Sequence, residues 1–201
     1  MHTWPTILRH GDLTLRPIRW RDEAAWRRVR EENSHWLDHW ETSDPTGAEP
    51  TTFRRWVTHY RRRGRLGKAL PLVLEIGADR FAGQISASPI HYQASRSAVI
   101  GYWIAERHAG QGYTPLAVAL VTDYLVQEMG IHRIEINVRP ENHASLRVVE
   151  KLGFVEEGYA RGFLYIDGDW RDHRRFALLA EDLPAGGLLA GYLNRCTETI
   201  D

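Results

Sequence analysis

Apolar and polar residues first alternate at Leu13-Thr14-Leu15-Arg16-Pro17-Ile18, which predicts a short strand. The period then lengthens. Asp22 stands where an N-cap belongs, ahead of Ala25, Trp26 and Val29 on one helical stripe. Trp36, Leu37 and Trp40 keep a helical spacing through residues 33–41, until Asp44-Pro45-Thr46-Gly47 breaks it. Thr51 or Thr52 caps the next helix, whose apolar stripe is Phe53, Trp56, Val57 and Tyr60. From Ala69 the pattern turns to strands: Ala69–Ile76, a turn at 78–80, Phe81–Ala87 and Val99–Ile104. Residues 112–127 read as a helix, 133–138 as a strand, and 144–151 as a helix with Gly153 at its end. Phe154 opens the last strands, where Arg161–Ile166 and Arg171–Leu179 flank the hairpin signal Asp167-Gly168-Asp169. Residues 183–201 are Gly-rich and polar, and are expected as a loosely packed tail or a short helix.

A chain of 201 residues fits one domain, and 43% hydrophobic with 26% charged residues excludes a disordered chain. Lys+Arg and Asp+Glu are 26 each, which argues against a nucleic-acid coat. The balance is uneven. Residues 1–68 hold 14 basic and 9 acidic residues, the remainder 12 and 17. The basic excess concentrates on Arg54, Arg55, Arg61, Arg62, Arg63, Arg65 and Lys68, with no acid from 53 to 68. That run reads as a solvated helix face, or as a surface that attracts an acidic acceptor. The single Cys196 excludes an internal disulfide framework and has no evident base partner. His35 and His39 are four apart but lack a third ligand, so no metal site is expected. No apolar run is long enough to cross a membrane and no secretory leader is evident, so the expectation is a cytoplasmic protein without a membrane partner.

The most informative stretch is a strand that runs into Ala109-Gly110-Gln111-Gly112-Tyr113-Thr114 and opens directly into a helix. Gly110 and Gly112 let the backbone approach a ligand. The first helical N–H groups lack internal partners and sit at the positive end of the dipole, a place for a phosphate or pyrophosphate. The pattern is neither of the common nucleotide fingerprints, and two glycines alone also fit an ordinary strand–helix turn. Because the segment after residue 68 is net acidic, an anion there is expected to rest on backbone N–H groups rather than on a basic patch.

This loop resembles the pyrophosphate loop of the GNAT superfamily of N-acetyltransferases, with the central Gly112 kept while Ala109 and Thr114 depart from the family's end positions. Asn142-His143-Ala144-Ser145, followed by Lys151-Leu152-Gly153-Phe154, is similar to the family segment that lies beside the pantetheine arm. The early Leu15-Arg16-Pro17, then Asn33 to Glu41, Glu157-Gly158-Tyr159 and Trp170-Arg171-Asp172-His173 resemble its RimJ/RimL branch. The likeness spans roughly residues 12–182. It implies an α/β (α+β) fold in one domain over residues 1–182, with 183–201 as a tail. The expected sheet is mixed and mostly antiparallel, of about six or seven strands flanked by about four helices.

The resemblance also implies acetyl-CoA as the acetyl donor, held by Tyr102, Trp103 and Ile104, by 109–114, and by Asn142 and Ser145. The acceptor would be the α-amine of a protein N-terminus, a ribosomal protein beginning with Ala or Ser, against Asn33, Trp36, Trp40 and Glu41. Such an amine has a pKa of about 7.7–8.0, so a modest base suffices. Backbone N–H groups near Trp103 and Ile104 would take the oxyanion. Many relatives protonate the leaving thiolate with a Tyr at the position of Val149; here Ser145 is the available hydroxyl and the candidate acid. The Glu that part of the RimL group carries after Gly158 falls near Leu164, leaving Glu135 and Glu41 as candidate bases. A small-molecule amine as acceptor, a non-catalytic CoA-binding module and an RNA-binding protein stand as alternatives, and the protein is expected as a monomer or homodimer.

Overall fold

The structure is a computed structural model and describes residues 4–48 and 51–198. Leu8–His10 forms strand β1 and Leu13–Pro17 strand β2. Helices α1 (Glu23–Glu32), α2 (Ser34–Leu37) and α3 (Phe53–Arg65) follow. Strands β3 (Leu70–Ile76), β4 (Asp79–His91) and β5 (Ser97–Ile104) lead into helix α4 (Tyr113–Asp123), which widens into a π-type turn over Tyr124–Glu128. Strand β6 (Arg133–Val138), helix α5 (His143–Leu152), strands β7 (Val155–Ile166) and β8 (Asp169–Leu179) and helix α6 (Leu188–Glu198) complete the chain. The eight strands form one sheet in the order β1-β2-β3-β4-β5-β6-β8-β7, antiparallel except where β5 meets β6. The fold is the mixed, mostly antiparallel α/β one expected. It has more strands than expected because β1 is too short for a period to register, and more helices because α2 and α6 are distinct.

Strand β3 is apolar except at Glu75 because both faces of the sheet are covered. Leu72 and Leu74 point into one core and Val73, between them, into the other. The larger core packs α4, α5 and α6 on one face; the smaller packs α1 and α3 on the other through Ile18, Val29, Phe53, Val57 and Phe81. Helix α4 is apolar on nearly every side because α6 lies over it, with Leu188 and Tyr192 buried. The Asp123 carboxylate accepts from the N–H groups of Leu188 (2.6 Å) and Leu189 (3.0 Å), so the end of α4 caps the start of α6.

Asp22 occupies the expected N-cap position but does not cap α1. Its carboxylate instead takes both guanidinium ends of buried Arg16, at 2.8 Å each, and the Arg19 N–H. Arg16 also reaches Glu75 on β3 at 2.8 Å. A bidentate guanidinium outcompetes a single helix N–H for the same oxygens.

One pairing is incomplete. Strands β5 and β6 are in register only at Ser97↔Arg133, Ala98↔Ile134 and Val99↔Glu135, although β5 runs on to Ile104 and β6 to Val138. Beyond Val99 the two strands part, and the sheet opens.

Candidate active site

The opening exposes backbone polar groups on one edge of β5. In an antiparallel ladder, alternate residues turn their N–H and C=O toward the neighbouring strand. The Ala105 N–H bonds the Ala82 carbonyl at 2.8 Å, so residues 101, 103 and 105 face β4. Tyr102 and Ile104 therefore face the gap, and the Trp36 indole N–H donates to the Ile104 carbonyl at 3.1 Å from that side. Strands β4 and β5 press close here. A Cβ built on Gly83 would lie 2.3 Å from the Trp103 carbonyl oxygen, so only glycine fits.

A cavity of about 450 Å³ runs from this gap to the start of α4. Gly110 (φ +74°) and Gly112 (φ +86°) both take the left-handed backbone that glycine tolerates. Gly112 is the N-cap, and the N–H groups of Tyr113 and Thr114 have no partner within the helix. Pro115 has no N–H to offer, which narrows the donor set to the first two helical residues and the loop. Every residue expected around the donor lines this cavity except Gln111, whose side-chain amide donates to the Arg107 carbonyl at 2.7 Å. The expectation of an anion site without basic side chains is corrected. His143, Arg147 and Lys151, spaced four apart on one face of α5, line the same cavity.

A second cavity, of about 580 Å³, lies on the side of α1 and α3. Aromatic residues Trp26, Phe53, Trp56 and Tyr60 form part of its wall. Trp40, Glu41, Tyr102, Trp103, Asn142 and Ser145 line both cavities, which therefore meet at the sheet opening. The Asn142 side chain caps α5 by accepting the Ser145 N–H at 2.9 Å. The Ser145 hydroxyl donates to the Tyr102 phenol oxygen at 3.0 Å. Two hydroxyls share that bond, so one proton of the pair remains to be donated into the cavity. Burial pushes the Tyr102 phenol up to about 12, against a smaller opposing effect of the Ser145 bond. Val149 is buried in the core and offers no hydroxyl.

The expected carboxylates are placed differently. Glu41 lines the second cavity with both oxygens paired to Arg30, whose guanidinium lies 4.7 Å from the Trp26 ring centre. Glu135 lines neither cavity; it accepts from Arg133 at 2.8 Å and Arg175 at 3.2 Å. Leu164 lines the second cavity and brings no titratable group. Asn33 lines neither, because its amide donates to the Val29 carbonyl and accepts the Glu106 N–H, tying α1 to the loop after β5. Trp36 lines the first cavity rather than the second, and Trp40, under the Arg139 guanidinium, lines both.

Sequence reasoning missed the Tyr102 phenol and Gln84. The Gln84 Oε1 accepts from the indoles of Trp26 (3.0 Å) and Trp103 (3.1 Å). Indole N–H groups only donate, so the accepting atom is the oxygen and the Gln84 NH₂ is left as a donor at the cavity. No local signal marks these residues; the cations of α5 could have been found from their spacing.

Among the described residues no cluster of His, Cys, Asp or Glu is arranged to hold a metal, and no helix is long and apolar enough to cross a membrane. His35 and His39 bond Glu106 and Asp167 respectively.

The sequence profile of the Acetyltransferase (GNAT) domain matches residues 12–155. A probable N-acetyltransferase of Bacillus subtilis, YjcK, is 38% identical over 130 residues, 64% of this chain and 72% of that one. The [ribosomal protein uS5]-alanine N-acetyltransferase of Escherichia coli is 30% identical over 169 residues, 82% of this chain and 87% of that one. The structure of Mycobacterium smegmatis RimJ in complex with CoA-disulfide superposes with a TM-score of 0.82 at 38% identity, covering 90% of each chain.

Proposed function

This chain belongs to the GNAT acetyltransferase family and is an acetyl-CoA-dependent N-acyltransferase, and we propose that its acceptor is the α-amine of a protein N-terminus, that of a ribosomal protein beginning with Ala or Ser. The observation that carries this reading is the chemistry of the second cavity. Among the described residues its one carboxylate, Glu41, is already paired with Arg30, while Arg139 and the Gln84 NH₂ offer donors. A polyamine needs several free carboxylates. A peptide needs room for one amine and donors for the carbonyls behind it. The volume lies within the usual range for ligand sites, about 300–1,000 Å³.

The residues divide the work of the transfer. The first cavity suits acetyl-CoA: Gly110 and Gly112 bring loop amides toward its pyrophosphate, the start of α4 adds two N–H groups, and Arg147 and Lys151 add charge. The Tyr102 and Ile104 amides, preorganised on β5, stabilise the oxyanion that forms when the amine attacks the thioester carbonyl. The Ser145–Tyr102 pair supplies the departing sulfur with a proton. The acceptor enters from the second cavity and meets the acetyl group at the sheet opening, so transfer is direct and needs no acyl-enzyme.

Incubation with acetyl-CoA and peptides beginning Ala, Ser, Thr or Met, beside free amines including spermidine, tests the acceptor class by CoA release and product mass. Transfer to Ala or Ser peptides is expected. Fast transfer to a small amine with none to any peptide overturns it.

A further inference from the structure

Neither carboxylate expected as a base is free at the cavity, yet the attacking amine must lose a proton. We infer that His173 is the general base of the transfer, its Nε2 taking the proton the acceptor nitrogen loses as the new C–N bond forms. The inference rests on the reading that the second cavity receives the amine.

Strand β8 carries His173 into the wall of that cavity, where it is only 3% exposed. Its Nδ1 lies 3.1 Å from the Arg171 carbonyl oxygen. A carbonyl oxygen only accepts, so Nδ1 carries the ring proton and Nε2 keeps its lone pair. The Phe163 ring on β7 packs against the imidazole, 5.4 Å between centres at 73°, and holds its plane. Burial pushes the imidazole below its usual 6.5, and Arg139 in the loop after β6 pushes the same way. The Arg171 carbonyl, Asp172 on the same strand and Glu141 in that loop oppose this, and the net effect is a lowering. Across the cavity Glu41 is neutralised by Arg30. The ring is therefore neutral, and able to accept a proton, at pH 7.

A second observation places the amine. Asn137 pairs with Arg175 across β6 and β8, and Arg175 lies two residues from His173, so Asn137 and His173 share a face of the sheet. Asn137 lines the same cavity, and its Oδ1 is buried with no hydrogen-bond partner among the described residues. A buried acceptor without a donor costs about 1–3 kcal/mol. A neutral amine supplies the missing N–H while its lone pair stays available for attack.

The step balances. The nitrogen lone pair forms the C–N bond and the thioester C–S bond breaks. The surplus proton on nitrogen passes to His173 Nε2 and then to solvent. The sulfur takes its proton from the Ser145–Tyr102 pair, which regains one from solvent.

The test is His173→Asn, assayed with whichever acceptor the native enzyme acetylates, peptide or small amine, so that a wrong acceptor class does not stop the experiment. An asparagine amide can keep the bond to the Arg171 carbonyl but cannot take the proton. The single-turnover rate at pH 7 is expected to fall by about 10²- to 10⁴-fold with acetyl-CoA affinity unchanged. A rate within about twofold of native overturns the assignment. Should the variant fail to bind acetyl-CoA, the native pH profile decides. A single-turnover rate that falls on acidification, with a midpoint below about 6.5, supports the role, and a flat rate down to about pH 5 overturns it.

Discussion

Ser145 and Tyr102 stand 43 positions apart in sequence and share one hydrogen bond, and in the proposed transfer they act as a single proton donor with two parts. Removing either hydroxyl leaves the other without its orienting partner. Tyr102→Phe is expected to lower kcat by about 10²-fold, and Ser145→Ala by a similar factor, each with a smaller effect on acetyl-CoA binding. The double variant should be little worse than either single one, because the residues act as a unit. Additive losses would show two independent roles. With its phenol pushed up to about 12, Tyr102 stays protonated from neutral pH well into the alkaline range, so its loss of a proton does not limit the rate at neutral pH. At this scale the sequence is least legible. Ser145 is visible because a motif carries it. Tyr102, Gln84 and His173 gain their chemistry from neighbours on other elements, and no spacing within one segment reports that.

Among elements, legibility follows the strength of the period. Strand β6 and helix α5 emerge close to their expected bounds because alternation and caps both mark them. Strand β1 has three residues and no period to read, and β4 runs to 13 residues by carrying a bulge past Ala87 that interrupts its alternation. The start of α1 shows a local rule losing to a distant one. Asp22 has the right type for a cap, but Arg16 and Glu75 recruit it into a buried network. The β4–β5 contact has a sharper consequence. Gly83→Ala must push β5 by several tenths of an ångström or more, since the new methyl meets backbone that cannot swing aside. We expect kcat to fall because the Tyr102 and Ile104 amides move with β5, and the loss of one aligned oxyanion donor alone costs about 10²- to 10³-fold. An unshifted kcat in a folded Gly83→Ala protein would remove β5 from that role.

Across the whole molecule, balanced charge conceals a basic side. Among the described residues, none of Arg54, Arg55, Arg61, Arg62, Arg63 or Arg65 forms an ion pair, and most are exposed. Arg61 lies 5.3 Å over the Trp20 ring instead. The opposite side of the same helix, through Phe53, Trp56 and Tyr60, walls the second cavity, the one proposed to take the acceptor. Long-range attraction of this kind acts on encounter and is screened by salt. Raising ionic strength from about 0.01 M to about 0.15 M shortens the screening length from about 30 Å to about 8 Å. kcat/KM for an acidic acceptor peptide should fall over that range, and for a basic one should hold or rise. Equal responses would leave the arginines as a solvated face.

The short register between β5 and β6 bears on more than catalysis. Three residue pairs join a five-strand leaf to a three-strand leaf, and past them, among the described residues, no ladder pair joins β5 to β6. A donor lying in that gap finishes the sheet, so ligand and fold become thermodynamically linked. At a donor concentration 100 times its Kd, the folded state gains about 2.7 kcal/mol, a large share of the about 5–15 kcal/mol that holds an ordinary domain together. The cellular lifetime of this protein would then track the supply of its own acetyl donor.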